Sequence, residues 1–307
     1  MRTPVVIVTA ALTVATLLAA SFLIATGTRG EDTSFASSAG QLEVQTAASG
    51  LVHPWALAFL PDGRLDDVKI IFRQEGPLSS GNHYGCRIVQ AGDGNLFVTL
   101  GEHFSHRDEA QNLANHLGKL IRIAPDGSAP ADNPFVGRAD AKPEIWSYGH
   151  RNAQGLAINP ASGDLWEIEH GPRGGDEVNI IGKGKNYGWP VIGYGIDYSG
   201  AKIHESTARA GMEQPIKYWV PSIAPSGMAF YSAKLFPKWT GSLFTGALAG
   251  KMLVRLSLNG NTVTGEERLL RNLNERIRDV RQGPDGALWL LTDNSAGRIL
   301  RVSPAAK

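Results

Sequence analysis

The stretch Ile277-Arg278-Asp279-Val280-Arg281-Gln282-Gly283-Pro284-Asp285-Gly286-Ala287-Leu288-Trp289-Leu290-Leu291 decides the fold. A run containing Ile277 and Val280 ends at Pro284-Asp285-Gly286, and a second apolar run with an aromatic follows. A tight turn after a half-buried strand needs φ > 0, which glycine supplies without steric cost. The signature recurs upstream. Trp55-Ala56-Leu57-Ala58-Phe59-Leu60 leads into Pro61-Asp62-Gly63. Arg87-Ile88-Val89 turns at Asp93-Gly94 into Leu96-Phe97-Val98-Thr99-Leu100. Leu156-Ala157-Ile158-Asn159-Pro160 turns at Gly163 into Leu165-Trp166. A looser copy runs from Gly227-Met228-Ala229-Phe230 to Gly241-Ser242-Leu243-Phe244. Such repetition predicts an all-β chain whose sheets stack radially and cover one another's apolar faces, as a β-propeller does.

The spacing is uneven. Gly63 and Gly94 lie 31 residues apart, Gly94 and Gly163 lie 69 apart. A four-stranded blade takes roughly 40 to 50 residues. The first interval is too short for a whole blade and the second holds an insertion. That insertion is Ala124 to Pro143, rich in Pro, Gly and Asp, and Gly193 to Thr207 reads as another long loop. Long loops on one rim of such a fold carry function.

Composition narrows the classes. Hydrophobic residues make up 42% of the 307-residue chain and charged residues 19%, with a formal charge of +1. That is ordinary for a globular protein, and nucleic acid is not an expected partner. The apolar stretch from about Val5 to Thr26 follows Arg2 and carries no charge. Residues 1–27 are therefore expected to be a signal peptide or an N-terminal membrane anchor, 28–41 a linker, and 42–307 the propeller domain. The implied location is periplasmic or otherwise extracytoplasmic, with possible attachment to the inner membrane. Cys86 is the lone cysteine, so no internal disulfide forms, and it reads as a small buried residue.

Chemistry-bearing residues gather between glycines. His83, in Asn82-His83-Tyr84-Gly85, sits at a loop-to-strand junction and could act as a general base. Arg151-Asn152 precedes its own strand at the same relative position. Arginine offers a planar fork for carboxylate or quinone oxygens. Glu169-His170-Gly171-Pro172-Arg173-Gly174-Gly175-Asp176-Glu177, followed by Asn186-Tyr187-Gly188-Trp189, combines exposed carbonyls with acids, the hard oxygen set that Ca²⁺ takes. Zinc spacing is absent. Arg276 and Arg278 share a strand face, which suggests an anion between them. No phosphate loop and no serine nucleophile elbow occurs.

As a set, Gly-Asn-His-Tyr-Gly at 81–85, Gly-His-Arg-Asn-Ala-Gln-Gly at 149–155, Glu-His-Gly-Pro-Arg-Gly-Gly-Asp-Glu at 169–177 and Lys-Asn-Tyr-Gly-Trp-Pro at 185–190 resemble the soluble PQQ-dependent sugar dehydrogenases, of the glucose/sorbosone or aldose dehydrogenase type. The resemblance runs from about Val52 to Pro304. It implies a six-bladed propeller with PQQ over the axial channel beside Ca²⁺, and a small sugar as substrate. It implies that His83 takes the proton of the anomeric hydroxyl while hydride passes to the cofactor, giving a lactone, and that Arg151 stabilises the reduced quinone oxygens. Asn152, His170, Tyr198, Lys251, Arg276 and Arg278 are implied cofactor contacts. Gly171 and Pro172 are implied carbonyl ligands of the cofactor calcium, and Glu177 and Tyr187 ligands of a further calcium.

The chain departs from the family in three places. Gly63-Arg64 runs almost directly into Leu65-Asp66-Asp67-Val68-Lys69, so most of one N-terminal blade is missing, with a glutamine that contacts substrate or cofactor. The family's strand-end lysine falls at Ala249, with Lys251 two residues on, where strand alternation would place it on the same face. His170 stands where some members carry Gln. The expected activity is PQQ-dependent aldose oxidation. The alternatives are a degenerate calcium-containing propeller that binds without turnover, or a calcium propeller lactonase.

Overall fold

The computed structural model describes residues 5–8, 33–59, 69–76 and 80–306. Most of the expected leader, the start of the linker and the Gly63 turn lie outside the described residues. What is described is all-β, with three single-turn 3-10 segments and no α-helix. Its antiparallel sheets hold four or five strands each, apart from one two-stranded pairing. The chain divides into two compact units.

One unit comprises Lys69–Pro225 with Gly260–Thr262. It holds two four-stranded meanders. The first runs Gly85–Gln90, Leu96–Leu100, Lys119–Ile123 and Ile145–Tyr148, and the second Ala153–Ile158, Leu165–Glu169, Asp176–Ile180 and Lys217–Trp219. Their first strands lie side by side. Arg87 Nε donates to the Gln154 carbonyl at 2.6 Å, and Thr99 Oγ1 to that of Ala153 at 3.4 Å. Phe97, Leu120, Leu156, Leu165, Ile181 and Tyr187 fill the space between the sheets. Ala124–Pro143 joins the third and fourth strands of the first meander, and 181–216 does so in the second, so both expected insertions are loops.

Cys86 corrects the sequence reading. It is exposed, with Sγ 3.2 Å from the Tyr84 carbonyl, and Arg87 is buried instead. The cause is local. Gly85 and Cys86 both have positive φ, at 69° and 74°, and the register shifts between Gly85 and Ile88. This bulge swaps the faces of the strand, so Ile88 points to solvent and the Arg87 guanidinium points in.

The other unit comprises Met1–Val68, Ser226–Asn259 and Val263–Lys307. Pro225–Phe230, Leu243–Ala247, Met252–Asn259 and Thr262–Leu269 form a third meander. The last sheet orders Ile277–Gln282, Leu288–Thr292, Gly297–Pro304, Gly40–Leu51 and Thr33–Ser37. Gly297–Pro304 pairs with Gly40–Leu51 from Gly297↔Leu51 to Pro304↔Leu42, so segments far apart in the chain build one sheet. Thr33–Ser37 falls in the segment read as a linker. It is held as an edge strand by buried Phe35 and by Glu267, which accepts from Ser38 N at 2.7 Å and Ser38 Oγ at 2.6 Å. Ala56–Phe59 pairs with Val5–Val8, and Leu57 N donates to Asp279 Oδ2 at 3.0 Å.

Four of the five hairpins read from the sequence stand as drawn. Their turn glycines Gly94, Gly163, Gly241 and Gly286 have φ of 86°, 78°, 81° and 78°.

Candidate functional site

His83 and Arg151 each stand two residues before the first strand of a meander, in the same unit. The backbones meet through 101–103: Glu102 N donates to the Arg151 carbonyl at 3.0 Å, and His103 N to that of His83 at 3.3 Å. His83 Nδ1 lies 2.7 Å from Oε1 of fully buried Glu102. A carboxylate only accepts, so Nδ1 carries the proton and Nε2 presents a lone pair. Burial holds the His83 pKa below its usual 6.5, with the Arg151 charge adding to the effect and Glu102 opposing it. The ring is neutral at neutral pH and oriented by a carboxylate, the state a general base requires.

The backbone around this pair is strained. His83, His103 and Phe104 adopt φ of 57°, 60° and 59°. Each non-glycine residue held there costs on the order of 1 kcal/mol or more, and such residues cluster at working sites. Gly101 has no side-chain alternative, because a Cβ there would meet the His83 carbonyl oxygen at 1.9 Å. Glu102 and Phe104 were not singled out in the sequence. The available signal was Gly101-Glu102-His103-Phe104, polar residues and a glycine directly after an apolar strand.

Arg151 is buried. Its Nη1 donates to the carbonyls of His170 at 3.0 Å and Gly171 at 2.8 Å, its guanidinium sits 5.1 Å from the Trp189 ring centroid, and its Nε has no hydrogen-bond partner. Asn152 receives a hydrogen bond from Gln154 Nε2 at 2.9 Å and lies 3.4 Å, Nδ2 to Nδ1, from His170. His170 Nε2 is 2.6 Å from the Pro225 carbonyl, which can only accept. Its Nε2 therefore carries the proton and its Nδ1 accepts from Asn152. Glu169 Oε2 accepts from the backbone N–H of Arg151 at 2.5 Å and of Asn152 at 3.2 Å.

The loop after Glu169 is pinned by Asp176. Its buried carboxylate accepts from Gly171 N (2.9 Å), Ser222 Oγ (2.8 Å to Oδ2), Ile223 N (2.7 Å) and Ala224 N (3.0 Å). Burial pushes the Asp176 carboxyl up, and those donors oppose the shift. Asp176 therefore organises the loop rather than offering free oxygens. Glu177, beside it, has its carboxyl raised by burial and by the Glu169 charge. A cavity of about 20 Å³, room for one ion or water, is lined by Glu169, Gly171, Pro172, Glu177 and Tyr187. The Tyr187 phenol is occupied: it donates to the Ile180 carbonyl at 2.6 Å and accepts from Gly182 N at 2.8 Å.

Tyr198 is exposed, and its ring lies 6.4 Å from Phe104, whose ring is 5.2 Å from that of His83. His83, Arg151, Asn152, His170, Tyr198, Gly171, Pro172, Glu177 and Tyr187 thus fall in one unit, and Lys251, Arg276 and Arg278 in the other. Arg276 and Arg278 share an anion from the chain itself. Asp293 Oδ2 accepts from Arg276 Nη2 at 3.1 Å and from Arg278 Nη2 at 2.7 Å. Arg278 also lies over the Trp55 ring at 4.3 Å. For Lys251 the alternation argument fails. Residues 248–251 form the turn between two strands, Lys251 has φ of 48°, and its exposed Nζ reaches Asn274 Oδ1 at 3.2 Å. Strand faces do not extend through a turn.

Residues 63–301 match the family model for Glucose / Sorbosone dehydrogenase. Aldose sugar dehydrogenase YliI of Escherichia coli (strain K12) is 53% identical over 243 residues, covering 78% of this chain and 65% of that protein. The chain thus spans just under two thirds of that relative's length. The crystal structure of soluble aldose sugar dehydrogenase from Escherichia coli in the apo-form superimposes with a TM-score of 0.77 at 47% identity, over 86% of this chain and 78% of that one. The PQQ-bound form of aldose sugar dehydrogenase from Streptomyces coelicolor gives 0.62 at 27% identity, over 86% and 75%.

Proposed function

The chain belongs to the glucose/sorbosone dehydrogenase family, and from that premise we propose that it oxidises an aldose at the anomeric carbon to the lactone, using PQQ and Ca²⁺. The observation that carries the proposal is the His83–Glu102 pair, a half-buried neutral imidazole with a free Nε2 held by a fully buried carboxylate. PQQ supplies hydride acceptance, the step no side chain performs. His83 Nε2 takes the anomeric hydroxyl proton, and Glu102 stabilises the imidazolium that results. Arg151 places positive charge where reduction builds negative charge. Its buried Nε without a partner fits a polyanionic guest.

For calcium, the donor set fits. The Gly171 and Pro172 carbonyls would serve the cofactor calcium, the former while also accepting from Arg151 Nη1, and the Glu177 carboxylate with Tyr187, whose phenol is engaged, a further calcium; all four residues line one small cavity. Each meander is read as a propeller blade, and the apolar N-terminal stretch as an export signal or inner-membrane anchor. Substrate and electron acceptor then meet the protein outside the cytoplasm.

One observation favours a second reading. The strand Ala56–Phe59 belongs to a two-stranded pairing where the other sheets have four or five strands, which fits a degenerate propeller that binds without turnover. One assay separates the two. The protein is reconstituted with PQQ and Ca²⁺ and dye reduction is followed with several aldoses. Turnover that disappears in His83→Ala supports oxidation. Stoichiometric PQQ uptake with no turnover overturns it in favour of binding alone. Aldose-independent lactone hydrolysis without PQQ overturns both.

A further inference from the structure

The second meander of the Lys69–Pro225 unit carries an acidic face that the proposed catalysis does not use. Glu167 and Glu169 alternate along Leu165–Glu169, so they share a face. Register sets Glu169 opposite Glu177 and Glu167 opposite Asn179. Glu167 and Asn179 are fully buried and Glu169 nearly so. Among the described residues no lysine or arginine pairs with Glu167, Glu169 or Glu177. Carboxylates this close in a low-dielectric interior repel strongly, and removing them from water costs several kcal/mol each. Such an arrangement persists only with a compensating charge, either a shared proton or a cation.

His150 bears on which it is. It is buried, and its Nδ1 makes no hydrogen bond but lies 3.5 Å from Glu169 Oε1, an ion pair only if the ring is protonated. Nδ1 and one oxygen each of Glu167 and Glu169 lie within 4.8 Å of one another. On its other side, His150 Nε2 is 2.9 Å from Ser147 Oγ, an oxygen able to accept its proton. Its ring stacks on Tyr187 with centroids 4.8 Å apart and planes at 20°, which fixes the direction in which Nδ1 points. With Nε2 donating to Ser147 Oγ, the other nitrogen offers a lone pair towards the carboxylates, the outer-shell pattern of a metal-ligating histidine; with the hydroxyl donating instead, Nδ1 would share its proton with Glu169. Glu167 Oε1 and Asn179 Oδ1 are likewise buried without partners. A point equidistant from three atoms 4.8 Å apart is about 2.8 Å from each, so contraction by less than an ångström reaches metal–ligand distances of about 2.0–2.2 Å.

Against the expectation from sequence spacing, which shows no zinc pattern, we propose that His150, Glu167 and Glu169 form a buried site for a first-row divalent cation, Zn²⁺ or Mn²⁺. It shares no ligand with the calcium set Gly171, Pro172, Glu177 and Tyr187, although Glu169 also lines the cavity beside them, and it is independent of PQQ. The imidazole selects the class: Ca²⁺ and Mg²⁺ take oxygen, whereas a nitrogen with two carboxylates suits the borderline transition ions. Enclosure by two strands of one sheet makes the role structural, cross-linking the 147–150 segment to the Leu165–Glu169 strand.

The test uses the full chain without PQQ. Wild type, Glu167→Gln, His150→Gln and Glu177→Gln are equilibrated with excess Ca²⁺ plus Zn²⁺ or Mn²⁺, desalted, and assayed for metal by mass spectrometry and for melting temperature. Wild type and Glu177→Gln should retain one equivalent of the transition ion and melt higher with it than without. Glu167→Gln and His150→Gln should hold it at least about tenfold more weakly. Because Gln keeps size and hydrogen bonding, circular dichroism of these variants confirms folding, and Glu167→Asp should restore partial binding. Wild type that retains no transition ion, with Glu167→Gln as stable as wild type, assigns the charge to a shared proton and overturns the proposal. Retention that follows Glu177 and not Glu167 or His150 overturns it too, and leaves the calcium and PQQ assignments standing.

Discussion

Glu102→Gln isolates the contact on which the proposed base depends. The substitution keeps the volume of a fully buried side chain and removes its charge. The Glu102–His83 contact, at 2.7 Å, is a charge-assisted hydrogen bond, a class whose net worth is about 1.5–3 kcal/mol. Glutamine can still accept through its oxygen, so the ground-state tautomer survives in part. What is lost is stabilisation of the imidazolium that forms as the sugar proton moves, so the loss falls on kcat. If the whole contact energy is expressed in the transition state, kcat drops about 10- to 150-fold while KM moves little. The pH profile gives an independent sign. Burial and Arg151 already hold His83 below 6.5, and Glu102 opposes them. Removing Glu102 lets the pKa fall further. The acid limb of kcat/KM, which reports protonation of the free base, therefore lies below 6.5 in the wild type and moves to still lower pH in the variant. The assay is dye reduction by PQQ- and Ca²⁺-loaded protein across pH, with wild type and variant matched for cofactor occupancy. A plateau kcat within about twofold of wild type, or an acid limb displaced upward, would refute the assignment of Glu102 and, with it, of His83 Nε2 as base.

The remaining expectations are structural and chemical. Gly101→Ala places a Cβ 1.9 Å from the His83 carbonyl oxygen; it should destabilise by about 1–3 kcal/mol in urea unfolding and abolish turnover in the fraction that folds. Asp176→Ala leaves the amides of Gly171, Ile223 and Ala224 and the Ser222 hydroxyl without their acceptor; a loss of about 3 kcal/mol or more and a weakened calcium isotherm should follow by denaturation and calorimetry. His83 is neutral in the fold and has the higher pKa unfolded, so the unfolded chain binds more protons; the stability this group contributes is complete above 6.5 and is lost as pH falls through its lower folded value, and His83→Gln should flatten that limb of the melting-temperature profile. Glu177→Gln should weaken Ca²⁺ uptake while leaving the His83–Glu102 pair intact, visible as activity recovered at higher Ca²⁺.

The hairpins were legible because turn glycines and strand runs are local. A turn glycine takes φ > 0 without steric cost, and Gly94, Gly163, Gly241 and Gly286 all adopt it. The equal offset of His83 and Arg151 from the next strand was legible because it is local, and each stands two residues before the first strand of its meander. Glu102 was not, because it reaches His83 from 19 residues away in sequence, beyond the hairpin that pairs their two strands. The bulge at Gly85 made Cys86 unreadable: one unpaired residue exchanges the faces, and an alternation argument inverts. Lys251 failed for the complementary reason, since alternation was extended past the end of a strand into a turn. Arg276 and Arg278 show how far charge patterning alone reaches. Two guanidinium groups on one face did require an anion, and the requirement is met by Asp293, 15 residues beyond Arg278. Glu167 and Glu169 pose the same requirement with opposite sign, and there the sequence offers no lysine or arginine partner among the described residues. The charge that balances them is either a proton shared with His150, whose Nδ1 lies 3.5 Å from Glu169 Oε1, or a bound cation, which is why that nitrogen carries more information than any acid beside it.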